Sequence, residues 1–420
     1  MSAKLFSAKT AMRPGLFVPV ICVMLSMAFL VGSYGFIRPA AESLFIHTFG
    51  ARKLPYVLTA VPLVMALSIY CYGRALSKIG GMKTLLASLI VSISVFLWCF
   101  INIEAGGRMS VAALYLFKEC YIVILIEQYW SLINSILNSS EAKALNGPIA
   151  GGGCLGAILA GFLLQRFAES LGTVQFVLIT AGVLMPGLVF SYAAYKLAGD
   201  PQPSAEERCA AKGHLHLSLL KENRLLLILV GIVGLSQALA TVLNLRMFQI
   251  LQYALPDIDG RTAYLGGFWM TANILAAVMQ FVGTPLLLRF APLKYIYMGV
   301  PLLNVVMCLA LFFSPSLAVA AGSLMVFKIM DYSVFRAGKE ILYIPLSYDA
   351  RYRAKQVIDA FTDRVSKGVT GGIMSLAGIM FAVVPGGIYT SFGLLCSLLW
   401  TGLGFALVRH TKKTAEPQLS

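Results

Sequence analysis

Charge is what this chain has least of. Only 12% of its 420 residues are Asp, Glu, Lys or Arg, about half the roughly 25% of a soluble domain. That deficit excludes an ordinary soluble enzyme and a disordered chain. Acidic residues are the scarcer sign: 18 Asp and Glu stand against 33 Lys and Arg, a net charge of +15. Cysteines number eight, at Cys22, Cys71, Cys99, Cys120, Cys154, Cys209, Cys308 and Cys396. They are scattered, mostly inside apolar runs, with no CxxC pair or Cys/His cluster. A disulfide framework and a zinc site are thereby excluded. Of the four histidines, His214 and His216 fall close together but lack further ligands and read as part of a solvated linker. No metal and no cofactor is expected. No nucleophile–base pair or catalytic motif stands out, so the chain does not read as an enzyme.

What is present is apolar surface. Hydrophobic residues make up 59% of the chain, and the mean hydropathy is +0.81. At roughly 20 apolar residues per crossing, the pattern predicts an all-α integral membrane protein. Twelve segments qualify: 16–38, 55–73, 84–103, 110–136, 147–168, 174–197, 224–250, 262–288, 294–313, 315–335, 357–384 and 386–408. The first is too long and too poorly flanked for a cleaved signal peptide and reads as a true span. The basic residues concentrate in the intervening loops. With both termini in the cytoplasm, 22 Lys and Arg fall on that side, against Arg52, Lys53, Arg108, Arg166, Arg246 and Arg261 opposite. Cytoplasmic loops carry such an excess, which explains the positive charge without nucleic acid. The polar stretch 198–222 divides the chain into halves, 1–197 and 223–420, of six spans each.

The halves look like a repeat. A shift of about 210 residues brings Arg38 onto Arg246 and Glu119 onto Lys328, and sets EAK at 141–143 near RAK at 353–355. Each tripeptide precedes a Gly-rich span, GPIAGGGCLGAILAG and GVTGGIMSLAG. Two parallel six-span halves are the layout of major-facilitator-type secondary transporters, with the cargo site near the midplane. The Gly-rich spans read as close helix packing. They lack the strand and turn that a phosphate loop needs.

Ionisable groups inside a bilayer cost about 2.5–3.5 kcal/mol each on insertion scales. A chain keeps them when they pair or line a cavity. Arg38 and Glu42 lie four apart on the first span. Lys118, Glu119 and Glu127 lie on the fourth, Lys328, Asp331 and Arg336 on the tenth. Asp359, Asp363, Arg364 and Lys367 lie on the eleventh, where Asp359, Asp363 and Lys367 share a stripe. Arg38, Glu119, Lys328 and Lys367 are the candidate substrate contacts: the basic groups suit an anionic cargo, and the Glu119 carboxylate could carry a coupling proton. Glu42, Glu127, Asp331, Arg336, Asp359, Asp363 and Arg364 are the candidates for gating, pairing or proton coupling. Tyr34, Tyr115, Tyr129, Trp130, Trp269 and Tyr332 could stack on a ring or serve packing.

Three stretches carry a resemblance: YGFIRPAAESLF at 34–45, EQYWSLINSILNSSEAKALNGPIAGGGCLGAILAG at 127–161, and DYSVFRAGKEILYIPLSYDARYRAKQVIDAFTDRVSKGVTGG at 331–372. In these the chain resembles the ATP/ADP translocase family, the nucleotide transporters of plastids and obligate intracellular bacteria. The resemblance implies a transporter that exchanges ATP for ADP plus phosphate, or takes up related nucleotides. It also implies intramembrane charges. A carboxylate of the fourth span matches Glu119, and a lysine of the eleventh matches Lys367. The family's first-span lysine is Ala41 here, and its seventh-span acid is Asn244. The loss of a basic contact weakens a site for a triphosphate, which carries roughly four negative charges.

The expected function is therefore a secondary transporter of a nucleotide or related organic anion, working by alternating access as a monomer in a bacterial inner membrane. One alternative is proton-coupled transport of a different organic anion or amphipathic metabolite. An alternative of another class is a non-transporting membrane sensor or scaffold, for which the 198–222 linker offers little docking surface.

Overall fold

The computed structural model describes residues 15–137, 139–198, 224–343, 362–381 and 384–415. The linker 198–222, with His214 and His216, lies almost wholly outside these residues, as does Asp359. The described residues contain no strand. The helices are α1 Phe17–Phe49, α2 Leu54–Glu104, α3 Arg108–Ile136, α4 Ser139–Leu171 and α5 Gln175–Ala198. There follow α6 Arg224–Ala254, α7 Ile258–Val278, α8 Thr284–Phe290, α9 Leu293–Phe313 and α10 Leu317–Met330. Last come α11 Arg336–Tyr343, α12 Thr362–Phe381 and α13 Gly386–Ala415. Single π-turns, Met279–Gly283 and Asp331–Phe335, join α7 to α8 and α10 to α11. Ten of the helical stretches are long and apolar enough to cross a membrane. An apolar environment leaves the backbone no water to bond, so a helix, which pairs its own N–H and C=O groups, is the form such segments take.

The helix α2 is 51 residues long and breaks direction at Gly80, whose φ of 79° and ψ of 173° lie outside the helical region. Only glycine adopts that conformation at little cost, and it falls between segments 55–73 and 84–103 of the sequence reading.

Two compact units emerge from the contacts. One comprises Met1–Leu44, Val64–Arg208 and Ile258–Met270, and the other Phe45–Leu63, Cys209–Asp257 and Thr271–Ser420. Each unit thus takes in a helical segment from the other half of the sequence. In the first unit, α1 and α4 approach through small residues. A side chain on Gly156 would strike the Ala28 carbonyl, and one on Gly35 would come within 2.7 Å of the Ala160 Cβ. Ser26 of α1, Tyr129 of α3 and Ser191 of α5 share hydroxyl hydrogen bonds, and Ser26 also donates to the Gly187 carbonyl at 2.8 Å. The start of α7 is tied into the same unit. The Asp259 carboxylate accepts from the Thr173 N–H and hydroxyl, both at 2.6 Å. A Cβ on Gly266 would lie 2.6 Å from the Leu164 Cβ of α4.

In the second unit, α6 packs most extensively, against α10, α12 and α13, and α9 lies on α13. The Ser366 hydroxyl of α12 donates to the Gly234 carbonyl of α6 at 2.5 Å, and the Tyr297 hydroxyl of α9 donates to the Gly338 carbonyl of α11 at 2.6 Å. The first part of α2 belongs here: Gly368 of α12 lies against Pro62, and a Cβ on Gly371 would meet the Pro55 carbonyl at 2.9 Å.

Candidate functional site

The charges of α1 and α3 meet in the first unit. One helical turn separates Arg38 from Glu42, and the Arg38 Nε lies 3.4 Å from the Glu42 Oε1. That pairing follows from i,i+4 spacing alone. The packing of α3 against α1 adds what spacing could not. The Lys118 ammonium reaches the same Glu42 oxygen at 3.4 Å and the Glu119 Oε1 at 2.9 Å. The Lys118 side chain is wholly buried and that of Glu42 is 1% exposed, whereas those of Arg38 and Glu119 keep 15% and 13% of their surface. Two cations and two carboxylates form one chain of ion pairs that balances to zero. Such closure is what lets ionised groups persist out of water.

Aromatic rings wall this cluster. The Arg38 guanidinium carbon lies 3.3 Å from the ring centroid of Trp269 on α7 and 5.8 Å from that of Tyr34. The Lys118 ammonium lies 4.3 Å from the Tyr115 ring. Cations over aromatic faces gain up to about 2 kcal/mol when desolvated. Two buried polar atoms of the cluster have no hydrogen-bond partner, the Glu42 Oε2 and the Trp269 Nε1. Nearby, Arg261 is 2% exposed and donates to the Ser43 carbonyl at 3.4 Å. The positive-inside count placed Arg261 in a loop. The anchoring of Asp259 on Thr173 instead draws the first turn of α7 onto the unit and buries it.

The second unit holds the other candidates. Lys328, in the last turn of α10, is 9% exposed, with Phe327 and Tyr332 rings 5.4 and 5.3 Å from its ammonium. Among the described residues no carboxylate pairs with it and no acceptor takes its hydrogen bonds. The π-turn Asp331–Phe335 begins three residues later, and such turns recur at functional sites. Asp331 and Arg336 flank this turn without forming an ion pair, and Arg336 is exposed. On α12, Asp363 pairs with Arg364 at 3.3 Å and with Lys367 at 3.6 Å. The stripe expected along this helix is therefore described for Asp363 and Lys367 only. Arg246 of α6 donates to the Gln249 Oε1 at 2.7 Å and lies against Gly386. Glu127, further along α3, is exposed.

The expected charges therefore divide between two places, Arg38, Glu42 and Glu119 in one unit and Lys328, Asp363, Arg364 and Lys367 in the other. Sequence reasoning gave no specific role to Lys118 and gave Trp269 ring stacking or packing; the structure puts both in the first cluster. Lys118 was visible as an intramembrane charge, but its partner on α1 lies 76 residues away.

Comparison with known proteins now bears on this geometry. The family model for the TLC ATP/ADP transporter matches residues 250–403. The chain is 22% identical over 346 residues to ADP,ATP carrier protein 3 of Rickettsia conorii, covering 71% of this chain and 67% of that protein. It is 19% identical over 448 residues to the Rickettsia prowazekii counterpart, covering 88% of each. Among solved structures, the nucleoside transporter NupG superposes with a TM-score of 0.67 at 14% identity, over 95% of this chain and 99% of that one. The POT family transporter PepTSo superposes with a TM-score of 0.68 at 11% identity, over 93% and 98%. The likeness to these two solved transporters is one of fold. In sequence this chain is accordingly similar to the TLC ATP/ADP transporter family and to bacterial ADP,ATP carrier proteins, which are membrane transporters and not enzymes.

Proposed function

We propose that the protein moves a nucleotide or related organic anion across a bacterial inner membrane by alternating access. The observation that carries this reading is Lys328. A nine-tenths buried lysine in an apolar helix, with aromatic rings beside it but no carboxylate or hydrogen-bond acceptor among the described residues, is costly unless an anion visits it. It lies within the 250–403 segment that matches the ATP/ADP transporter model. Lys328 and Lys367 contact the anionic end of the cargo in the second unit. Arg38 and Glu119 contact cargo in the first. Glu42, Asp331, Asp363 and Arg364 gate or couple through pairing, and Glu127, Arg336 and Asp359 belong to the same coupling set.

Twelve crossings, arranged as six-span halves 1–197 and 223–420 about the linker 198–222, form the scaffold. Support comes from the lengths. At 1.5 Å per residue a 51-residue helix would span about 77 Å, far beyond a hydrocarbon core of roughly 30 Å. Broken at Gly80, α2 counts as two crossings. The α12 helix, with Asp363, Arg364 and Lys367 in its first two turns, is a crossing that its charges disguise. Both termini are cytoplasmic by the distribution of Lys and Arg, and the protein works as a monomer.

The test is a thermal-shift screen of purified protein in detergent against nucleotides and other organic anions. Ligands that bind the folded state alone raise its melting temperature. Nucleotides should do so for the wild type, and Lys328→Gln should lose about tenfold or more in apparent affinity, as removal of a charged hydrogen bond does. A shift by non-nucleotide anions only would move the cargo to that class. No shift by any anion would remove the reading.

A further inference from the structure

We propose that the Arg38–Glu42–Trp269 cluster of the first unit reads the base of the cargo, an amino-bearing ring of the adenine type, and not its phosphates. The proposal rests on the nucleotide reading above. Charge is the first argument. Arg38, Lys118, Glu42 and Glu119 are bound into one set of ion pairs of zero net charge. A phosphate added there would find both of these cations already paired with carboxylates. A neutral ring adds no charge to that set.

The second argument is the pair of polar atoms left over. Buried polar groups in native proteins nearly always have partners, and each exception needs a cause. Here the exceptions are one acceptor, the Glu42 Oε2, and one donor, the Trp269 Nε1. Both residues flank the same guanidinium, whose Nε lies 3.4 Å from the Glu42 Oε1 and whose carbon lies 3.3 Å over the indole. An adenine edge offers the complement: its exocyclic amino group donates to the carboxylate oxygen, and its ring N1 accepts from the indole N–H. Arg38, with 15% of its side chain exposed, is the member that shifts to admit the ring. Trp269 is held in place from behind. A Cβ on Gly266 or Gly267 would come within 3.0 Å of atoms of Leu164 or Gln165 on α4, so the two helices are in contact just before it.

Hypoxanthine inverts both groups, since its O6 accepts where adenine donates and its N1–H donates where adenine accepts. A site built to bond one edge rejects the other strongly, because its own buried groups are left unpaired. The experiment measures affinities of the full-length protein in detergent for AMP, IMP, ATP and ITP, in the wild type and in Trp269→Phe, which keeps a ring but lacks the N–H. The wild type should bind AMP about tenfold or more tighter than IMP. Trp269→Phe should narrow that ratio severalfold and leave the ATP to AMP ratio unchanged. Equal wild-type affinity for AMP and IMP, with nucleotides still bound, would overturn this proposal alone and requires no variant to fold. A Trp269→Phe protein with an altered ATP to AMP ratio and an intact AMP to IMP ratio would overturn it too. Binding of none of the four would overturn the cargo reading together with it.

Discussion

Lys118 has no water to fall back on. Its side chain is wholly buried, and among the described residues its charge is answered by Glu42 and Glu119 and by the Tyr115 ring. Removing one member of a buried pair strands the other and costs about 3–5 kcal/mol, while replacing the whole set by apolar or neutral groups is often nearly neutral. Lys118→Met should therefore destabilise the protein markedly in detergent unfolding. The combined Arg38→Gln, Glu42→Gln, Lys118→Met, Glu119→Gln variant, which replaces all four members, should recover much of that loss. If Lys118→Met unfolds like the wild type, the network contributes no stability. The Arg38–Glu42 pair was legible from spacing four residues apart. The role of Lys118 was not, because it depends on which helix lies opposite, and no local pattern encodes that.

At the scale of the helix, close approach is set by what glycine leaves out. The α1–α4 crossing admits no side chain at Gly156, where the obstacle is the Ala28 backbone carbonyl and cannot rotate away. Small residues allow this proximity, from which helices in lipid gain dispersion contacts. Gly156→Val should force the helices apart at a cost of about 1–3 kcal/mol. Gly151→Ala on the same helix, which meets nothing within 4 Å, should leave the melting temperature unchanged. Equal behaviour of the two variants would deny the crossing. That GGGCLG serves packing was legible in its apolar setting. The π-turn Asp331–Phe335 was not, since one extra residue in a helical turn leaves no mark on hydropathy.

For the molecule as a whole, hydropathy carried most of the architecture. Apolar runs of membrane length need no long-range information to be helices, and ten described stretches have that character. Charge-bearing segments were harder. The α12 helix mixes Asp363, Arg364 and Lys367 into its first turns, which lowers the hydropathy there. The composition of the units could not be read at all. Phe45–Leu63 and Ile258–Met270 each join the unit built mainly from the other half of the sequence, an exchange that only tertiary packing decides. The central claim, that these buried charges serve the passage of a nucleotide or like anion, is tested most directly by counterflow. Purified protein would be reconstituted into liposomes preloaded with unlabelled nucleotide, and the entry of labelled ATP, ADP and AMP followed. The account predicts saturable, protein-dependent accumulation of at least one of them. Uptake no faster than in protein-free vesicles, for all three, would contradict it.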